Sequence, residues 1–168
     1  MASFNMGNIF KAAILVASDR AHTGARLDKS GPVLEKRLSH IGFDVVAVKV
    51  VPDNKEIIKS ALEKWVFEEA INLIVISGGT GPAPNDVTPE ATIEIIEKRI
   101  PGMEEAMRRV SSDKTPFGML SRGVVGIAER SLIINLPGNP EGALENLAVI
   151  EPALEHALRL IAGECPDP

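Results

Sequence analysis

Three carboxylates and one glycine-rich loop carry the chemistry for which this sequence has the right residues. The loop is Ser77-Gly78-Gly79-Thr80-Gly81, and Asp86-Val87-Thr88-Pro89-Glu90-Ala91 follows it closely. Glycines let backbone N–H groups approach an anion with no Cβ in the way, and they admit positive φ. Ser77 and Thr80 add hydroxyl donors, so the loop suits a phosphate. Asp86 closes the same segment, Asp53 follows Val51-Pro52, and Asp19 follows Ser18. Bare acids would repel a phosphate, and carboxylates beside a phosphate cradle ordinarily serve a Mg²⁺. Thr88 reads as a helix N-cap, Pro89 as N1 and Glu90 as the acid of the first turn. Blander readings stand beside these. A Gly-Gly-Thr-Gly segment can be a tight turn and nothing more. Asp53, with Glu56 three residues on, matches a capping box and can be a helix cap. Asp19 can equally hold Arg20 or a loop amide.

Apolar, β-branched runs deliver these groups. Residues 12–17, 43–51 and 73–76 read as strands, the first and third buried on both faces. They end at Ser18-Asp19-Arg20, Pro52-Asp53 and Ser77. Between them, residues 21–31 read as a loop. Helical spacing predicts helices over about 32–40, stopped by Gly42, and over about 54–70. Further on, the pattern predicts helices over 89–99 and 102–110, an irregular polar stretch over 111–116 and a short helical turn over 117–122. Residues 123–128 and 132–135, split by Glu129-Arg130, predict a β-hairpin. Leu136-Pro137-Gly138-Asn139-Pro140 is a second glycine-proline loop, in which Asn139 caps a helix over about 140–149. Pro152 opens a further set of turns to about 162, and residues 1–8 and 163–168 read as loose ends. Strands alternating with helices imply an α/β domain with a mainly parallel sheet. Ligands of such sheets sit beyond the carboxyl ends of the strands. Four loops meet that criterion: 18–31, 52–53, 77–88 and 136–140.

Composition narrows the function classes. A chain of 168 residues with 45% hydrophobic content suits one domain with a substantial core. The net charge is −5 with no basic stripe, which argues against a duplex nucleic-acid binder. With no Tyr, one Trp and five Phe, there is no stacking platform for a single strand either. Cys165 has no second cysteine to pair with, which fits a reducing, cytoplasmic setting. His22, His40 and His156 are far apart and show no metal-ligand spacing. No run reaches the roughly 20 apolar residues that span a bilayer, and no basic cluster precedes the first strand, so neither a membrane span nor a secretory signal is expected. A Walker loop fails because Asp28 stands before Lys29-Ser30 where its glycine should be. There is no G-x-G-x-x-G opening a helix and no G-x-S-x-G elbow. The residues alone support an α/β protein that binds a phosphorylated ligand, with Mg²⁺.

The glycine loop with Asp86-Val87-Thr88-Pro89-Glu90-Ala91 resembles the signature of the MogA/MoaB family of molybdenum-cofactor biosynthesis proteins, to which the gephyrin G domain belongs. Further segments resemble that family in the same order. They are Ser18-Asp19-Arg20 with Gly24, Asp28, Ser30, Gly31 and Pro32; Val51-Pro52-Asp53; Pro101-Gly102; Met107-Arg108; Leu120-Ser121-Arg122; and Leu136-Pro137-Gly138-Asn139-Pro140. The resemblance implies a single-domain three-layer α/β/α fold over residues 1–168, with a mostly parallel sheet. It implies transfer of AMP from ATP to the phosphate of molybdopterin, with pyrophosphate released. Asp53 and Asp86 would then be the catalytic, Mg²⁺-associated carboxylates. Ser18, Asp19, Ser77, Gly78, Gly79, Thr80, Gly81, Thr88, Pro137, Gly138 and Asn139 would border the ligands, and Ser121 and Arg122 would face molybdopterin. The candidate cations are Arg20 and Arg122. The expected assembly is a homotrimer that passes its product to a metal-insertion protein. One position departs from the pattern: Asn85 stands where a basic residue commonly precedes the aspartate. Two alternatives therefore remain, a non-catalytic molybdopterin-binding or scaffold protein of the same pathway and an unrelated flavodoxin-like phosphate binder.

Overall fold

The computed structural model describes residues 10–164. Residues 1–9 and 165–168, with the expected leader and Cys165, lie outside them. Three strands form the heart of the sheet: β1 (Lys11–Ala17), β3 (Leu73–Ser77) and β6 (Ser131–Leu136). Apart from Lys11 every residue in them is buried, because helices cover both faces. With β2 (Asp44–Val51), β4 (Lys98–Arg99) and β5 (Val125–Ala128), the strand order is β2-β1-β3-β6-β5-β4. The β2, β1, β3 and β6 neighbours are parallel, and β5 runs antiparallel to β6 and β4.

Alternate residues of the central strands feed two cores. On one face Ile14, Leu73, Val75 and Ile134 pack with Leu34 and Leu38 of α2 (Ser30–His40) and Leu147 and Leu154 of α6 (Pro140–Ile161). On the other, Leu15, Ile74, Ile76 and Ile133 pack with Ile58 and Leu62 of α3 (Lys55–Glu63) and Ala91 of α4 (Thr88–Ile93). The result is the expected three-layer α/β/α fold with a mostly parallel sheet. Among the described residues no helix is long and apolar enough to cross a membrane. Register fixes where the loops emerge. Ser77 lies level with Val16 and Leu136, and Ala17 with Val51, so four strand ends open on one edge.

Several local expectations give way to tertiary pairing. Helix α4 stops at Ile93, and Lys98–Arg99 form an edge strand where residues 89–99 predict one helix. Glu97 N–H donates to the Ile127 carbonyl and Ile100 N–H to the Val125 carbonyl, both at 2.8 Å. Glu104 locks that edge. It is 1% exposed and accepts from Arg99 (2.7 and 3.1 Å), Arg108 (3.2 Å) and the Val125 N–H (3.0 Å). Helix α5 (Pro101–Lys114) runs through the stretch read as irregular, because Asn146 donates to Ser111 at 2.9 Å and Lys114 pairs with Glu145. The single turn of 3₁₀ helix Pro116–Leu120 follows it, near the expected turn. Helix α6 continues through Pro152, since Leu147, Ile150, Leu154 and Leu158 bury one unbroken stripe. Proline there removes one N–H, a loss that this packing offsets. The expected first loop contains a short helix, α1 (Asp19–His22), and α2 begins at Ser30. The hairpin of β5 and β6 forms as expected.

Burial pushes the Glu104 carboxyl up, but Arg99, the Val125 N–H and Arg108 outweigh it and hold it below 4.5. A depressed carboxyl stabilises the fold above its unfolded range, and that contribution is lost as pH falls through the folded value. Glu104→Ala is expected to cost about 2–3 kcal/mol in urea unfolding at neutral pH, with a smaller deficit below pH 4.5. A loss under about 0.5 kcal/mol at pH 7 would remove Glu104 as the lock.

Candidate active site at the carboxyl edge of the sheet

The site begins with a crowding of backbones. Gly78 has φ +103, and a Cβ on it would lie 2.3 Å from the Ala17 carbonyl oxygen. Its own Cα would lie 3.2 Å from a Cβ placed on Gly138. Hydroxyls tie the three segments together. Ser77 donates to the Pro137 carbonyl at 2.8 Å and Ser30 to the Gly138 carbonyl at 2.9 Å. Ser77 therefore builds the wall, with its proton already committed. Gly79 has φ +65, and a Cβ there would sit 2.4 Å from Thr88 Oγ1 and 3.4 Å from Asp53 Oδ1. Thr88 is not the N-cap: it is the first helical residue after Val87. Its N–H donates to the Gly79 carbonyl at 3.1 Å, which turns its hydroxyl under the loop. That hydroxyl is buried and has no hydrogen-bond partner among the described residues. Asn139 caps α6 as expected, accepting from the Gly142 N–H at 2.6 Å.

Asp19 and Asp53 bind each other reciprocally. The Asp19 N–H donates to Asp53 Oδ2 and the Asp53 N–H to Asp19 Oδ1, each at 2.9 Å. Asn54, not Asp53, caps α3, accepting from the Ile57 N–H at 3.1 Å. The capping-box reading fails because the Asp53 carboxylate is turned toward β1. Burial pushes the Asp53 carboxyl above its ordinary 3.8; the Asp19 N–H opposes this, while the charges of Asp19 and Asp86 add to it. Asp86 Oδ2 accepts from the Ala83 N–H at 3.0 Å. Arg122 staples the same loop from behind. It donates to the Gly81 carbonyl at 2.8 Å and the Asp86 carbonyl at 2.7 Å, and it pairs with Glu90. Hydrogen bonding to Arg122 holds the Glu90 carboxyl below its usual range, against its burial.

Two clefts flank these loops. The first, about 190 Å³, is lined by Ser18, Ser77, Gly78 and Gly79, with Asp53 and Asp86. Gly138 and Asn139 close it. The second, about 520 Å³, is lined by Thr80, Gly81, Ser121 and Pro137, with Phe117 and again Asn139. Asp19 and Thr88 support the first cleft through Asp53 and Gly79 and line neither; Arg122 and Arg20 line neither. Arg26 and Lys29 line the first cleft and escaped the sequence reading. The available signal was two bases in the loop after the first strand. Among the described residues no three His, Cys, Asp or Glu side chains form a metal cage. Asp53 and Asp86 nevertheless fit a Mg²⁺ that arrives with phosphates, since that ion takes one or two carboxylates and fills the rest of its shell with phosphate oxygens and water.

Comparison with known proteins gives the family. A family profile described as "Probable molybdopterin binding domain" matches residues 13–156. The chain is 40% identical over 152 residues to the molybdopterin adenylyltransferase of Helicobacter pylori strain J99, covering 89% of this chain and 86% of that protein. The chain belongs to the MogA/MoaB family. The crystal structure of the molybdopterin biosynthesis enzyme MoaB from Thermus thermophilus superposes on this MogA/MoaB chain with a TM-score of 0.87. Identity is 44%, over 93% of this chain and 98% of the other. Gephyrin of Dictyostelium discoideum is 40% identical over 88% of this chain, which spans 22% of that longer protein. The MogA/MoaB family works in molybdenum-cofactor biosynthesis.

Two outcomes test the site's construction. A carboxyl raised in the fold weakens stability as pH climbs through its range, so Asp53→Asn should raise the melting temperature at pH 7. The gain should vanish below the unfolded value of 3.8; a lower melting temperature at pH 7 would contradict the assignment. Arg122→Ala should cost about 1–2 kcal/mol and speed amide hydrogen exchange across residues 80–86. Unchanged exchange there would mean that Arg122 does not hold the loop.

Proposed function

We propose that this protein is a molybdopterin adenylyltransferase, moving AMP from Mg-ATP to the phosphate of molybdopterin. The observation that carries this reading is the pair of clefts sharing Asn139, with Asp53 and Asp86 on the smaller one and an apolar flank at Phe117 on the larger. Triphosphate and α-phosphorus belong in the first cleft, and the pterin in the second. An oxygen of the molybdopterin phosphate attacks the α-phosphorus of ATP. The new P–O bond forms as the bond from that phosphorus to the bridging oxygen of the β-phosphate breaks, and pyrophosphate leaves. Nothing is oxidised or reduced. A phosphate monoester is largely ionised at neutral pH, so no side chain has to remove a proton.

Both reactants are anions, so the barrier is mostly repulsion and positioning. The chain's own residues address positioning. The reciprocal Asp19–Asp53 bonds fix one carboxylate, and the Ala83 N–H fixes the other. Asp53 and Asp86 would hold Mg²⁺, which when bound supplies charge neutralisation at the phosphates. Gly78 and Gly79 leave their Cβ positions open to close approach by backbone and carboxylate alike. On the same reading the protein is a cytoplasmic homotrimer whose product passes to a metal-insertion protein.

A second reading, a molybdopterin-binding scaffold without turnover, is favoured by Asn85, an exposed neutral residue beside Asp86. One reaction separates the two: protein, Mg-ATP and molybdopterin, with pyrophosphate and adenylyl-molybdopterin both quantified. Equal yields are expected, and Asp86→Asn should cut turnover roughly 100-fold with the fold intact. Molybdopterin binding with no product would give the scaffold reading instead.

A further inference from the structure

The first cleft contains two cations with no assigned role. Arg26 and Lys29 both line it, from the segment between α1 and α2. Neither side chain makes an ion pair or hydrogen bond among the described residues. Acids are not scarce: the chain has 23 Asp and Glu against 18 Lys and Arg. Other bases find them, as Arg37 does with Glu151, Arg99 with Glu104 and Arg122 with Glu90. The nearest acid in sequence, Asp28, is turned inward, and its Oδ1 accepts from the Ser30 and Gly31 N–H groups at 2.9 and 3.1 Å. Those amides at the start of α2 are thereby satisfied. An anion at this ledge must be held by side chains.

The ledge is anchored at both ends. The Arg26 N–H donates to the Arg20 carbonyl at 2.9 Å, and Ser30 donates to the Gly138 carbonyl at 2.9 Å. Two exposed, unpaired cations thus project from fixed backbone into a cleft that also presents Asp53 and Asp86. A cleft with carboxylates on one segment and free cations on another suits a polyphosphate with its metal: cation to carboxylate, anion to base. The cations expected from sequence do not serve here, since Arg20 lies outside the cleft and Arg122 is engaged behind the loop. Asn85 supplies none.

We propose that Arg26 and Lys29 bind the two terminal phosphates of the nucleotide, and so the pyrophosphate that leaves. Naming the nucleotide rests on the adenylyl-transfer reading; the polyphosphate site itself does not. Negative charge grows on the leaving pyrophosphate as its bond to the α-phosphorus breaks. Cations placed there lower the barrier as well as the dissociation constant.

The test is calorimetric titration of inorganic pyrophosphate, ATP and AMP, each with Mg²⁺, into wild type, Arg26→Gln, Lys29→Gln and the double variant. Both side chains are exposed and unpartnered, so the variants keep the fold. Each single change should raise the dissociation constants of pyrophosphate and ATP about ten-fold. The double variant should lose more, and AMP should stay within about two-fold. The salt dependence of pyrophosphate binding should weaken in parallel. Three results would overturn the proposal: no pyrophosphate binding by wild type, unchanged binding in the double variant, or an equal loss for AMP. Failure of the adenylyl-transfer reading looks different, as absent product with charge-dependent pyrophosphate binding intact.

Discussion

Three stretches of backbone converge on Gly78, and the site exists because nothing projects between them. A side chain at that position would strike the Ala17 carbonyl oxygen. The Gly138 segment could not then close over β3, and Ser77 would lose Pro137. Ser30 would lose Gly138, and with it the anchor of the ledge at the start of α2. One steric allowance therefore sets the spacing of loops that arise from β1, β3 and β6.

Around that contact the polar groups divide by role. Ser30, Ser77, Asp28, Asp19 and Arg122 are engaged with backbone from other segments or their own turn. Asp53, Asp86, Arg26 and Lys29 line the open space beside Asp28, Ser30 and Ser77, and the first two each accept a backbone N–H as well. Thr88 belongs to neither class. Its hydroxyl is buried beneath Gly79 without a partner, and such a group ordinarily costs about 1–3 kcal/mol. The loop is held in place at some expense in stability, a common trade at working sites.

Much of this was legible in the sequence because the signals were local. Residues 12–17 and 73–76 are apolar runs that only a sheet covered on both faces would bury, and glycine and proline mark where they end. The carboxylates after strands one, two and three could be placed on one edge from topology alone. What escaped was decided between distant residues. Residues 89–99 keep a helical period, yet Glu104 and Val125 draw Arg99 into the sheet edge. Asn54 rather than Asp53 caps α3 because Asp53 has a partner 34 positions away. The reach of Arg122 to carbonyls 41 and 36 positions earlier is another such long-range contact. The unpaired state of Arg26 and Lys29 is a fact about space that no spacing rule encodes.

The smaller cleft draws its walls from residues 16–30, 53, 77–86 and 138–140, separated by parallel crossovers. No one of these segments contains all of it. Parallel pairing of remote segments raises contact order and slows folding. A molecule bound in the cleft cannot recognise a partly folded chain. It acts instead by mass action on the whole cooperative unit, so that occupancy of one edge of the sheet steadies helices on both faces.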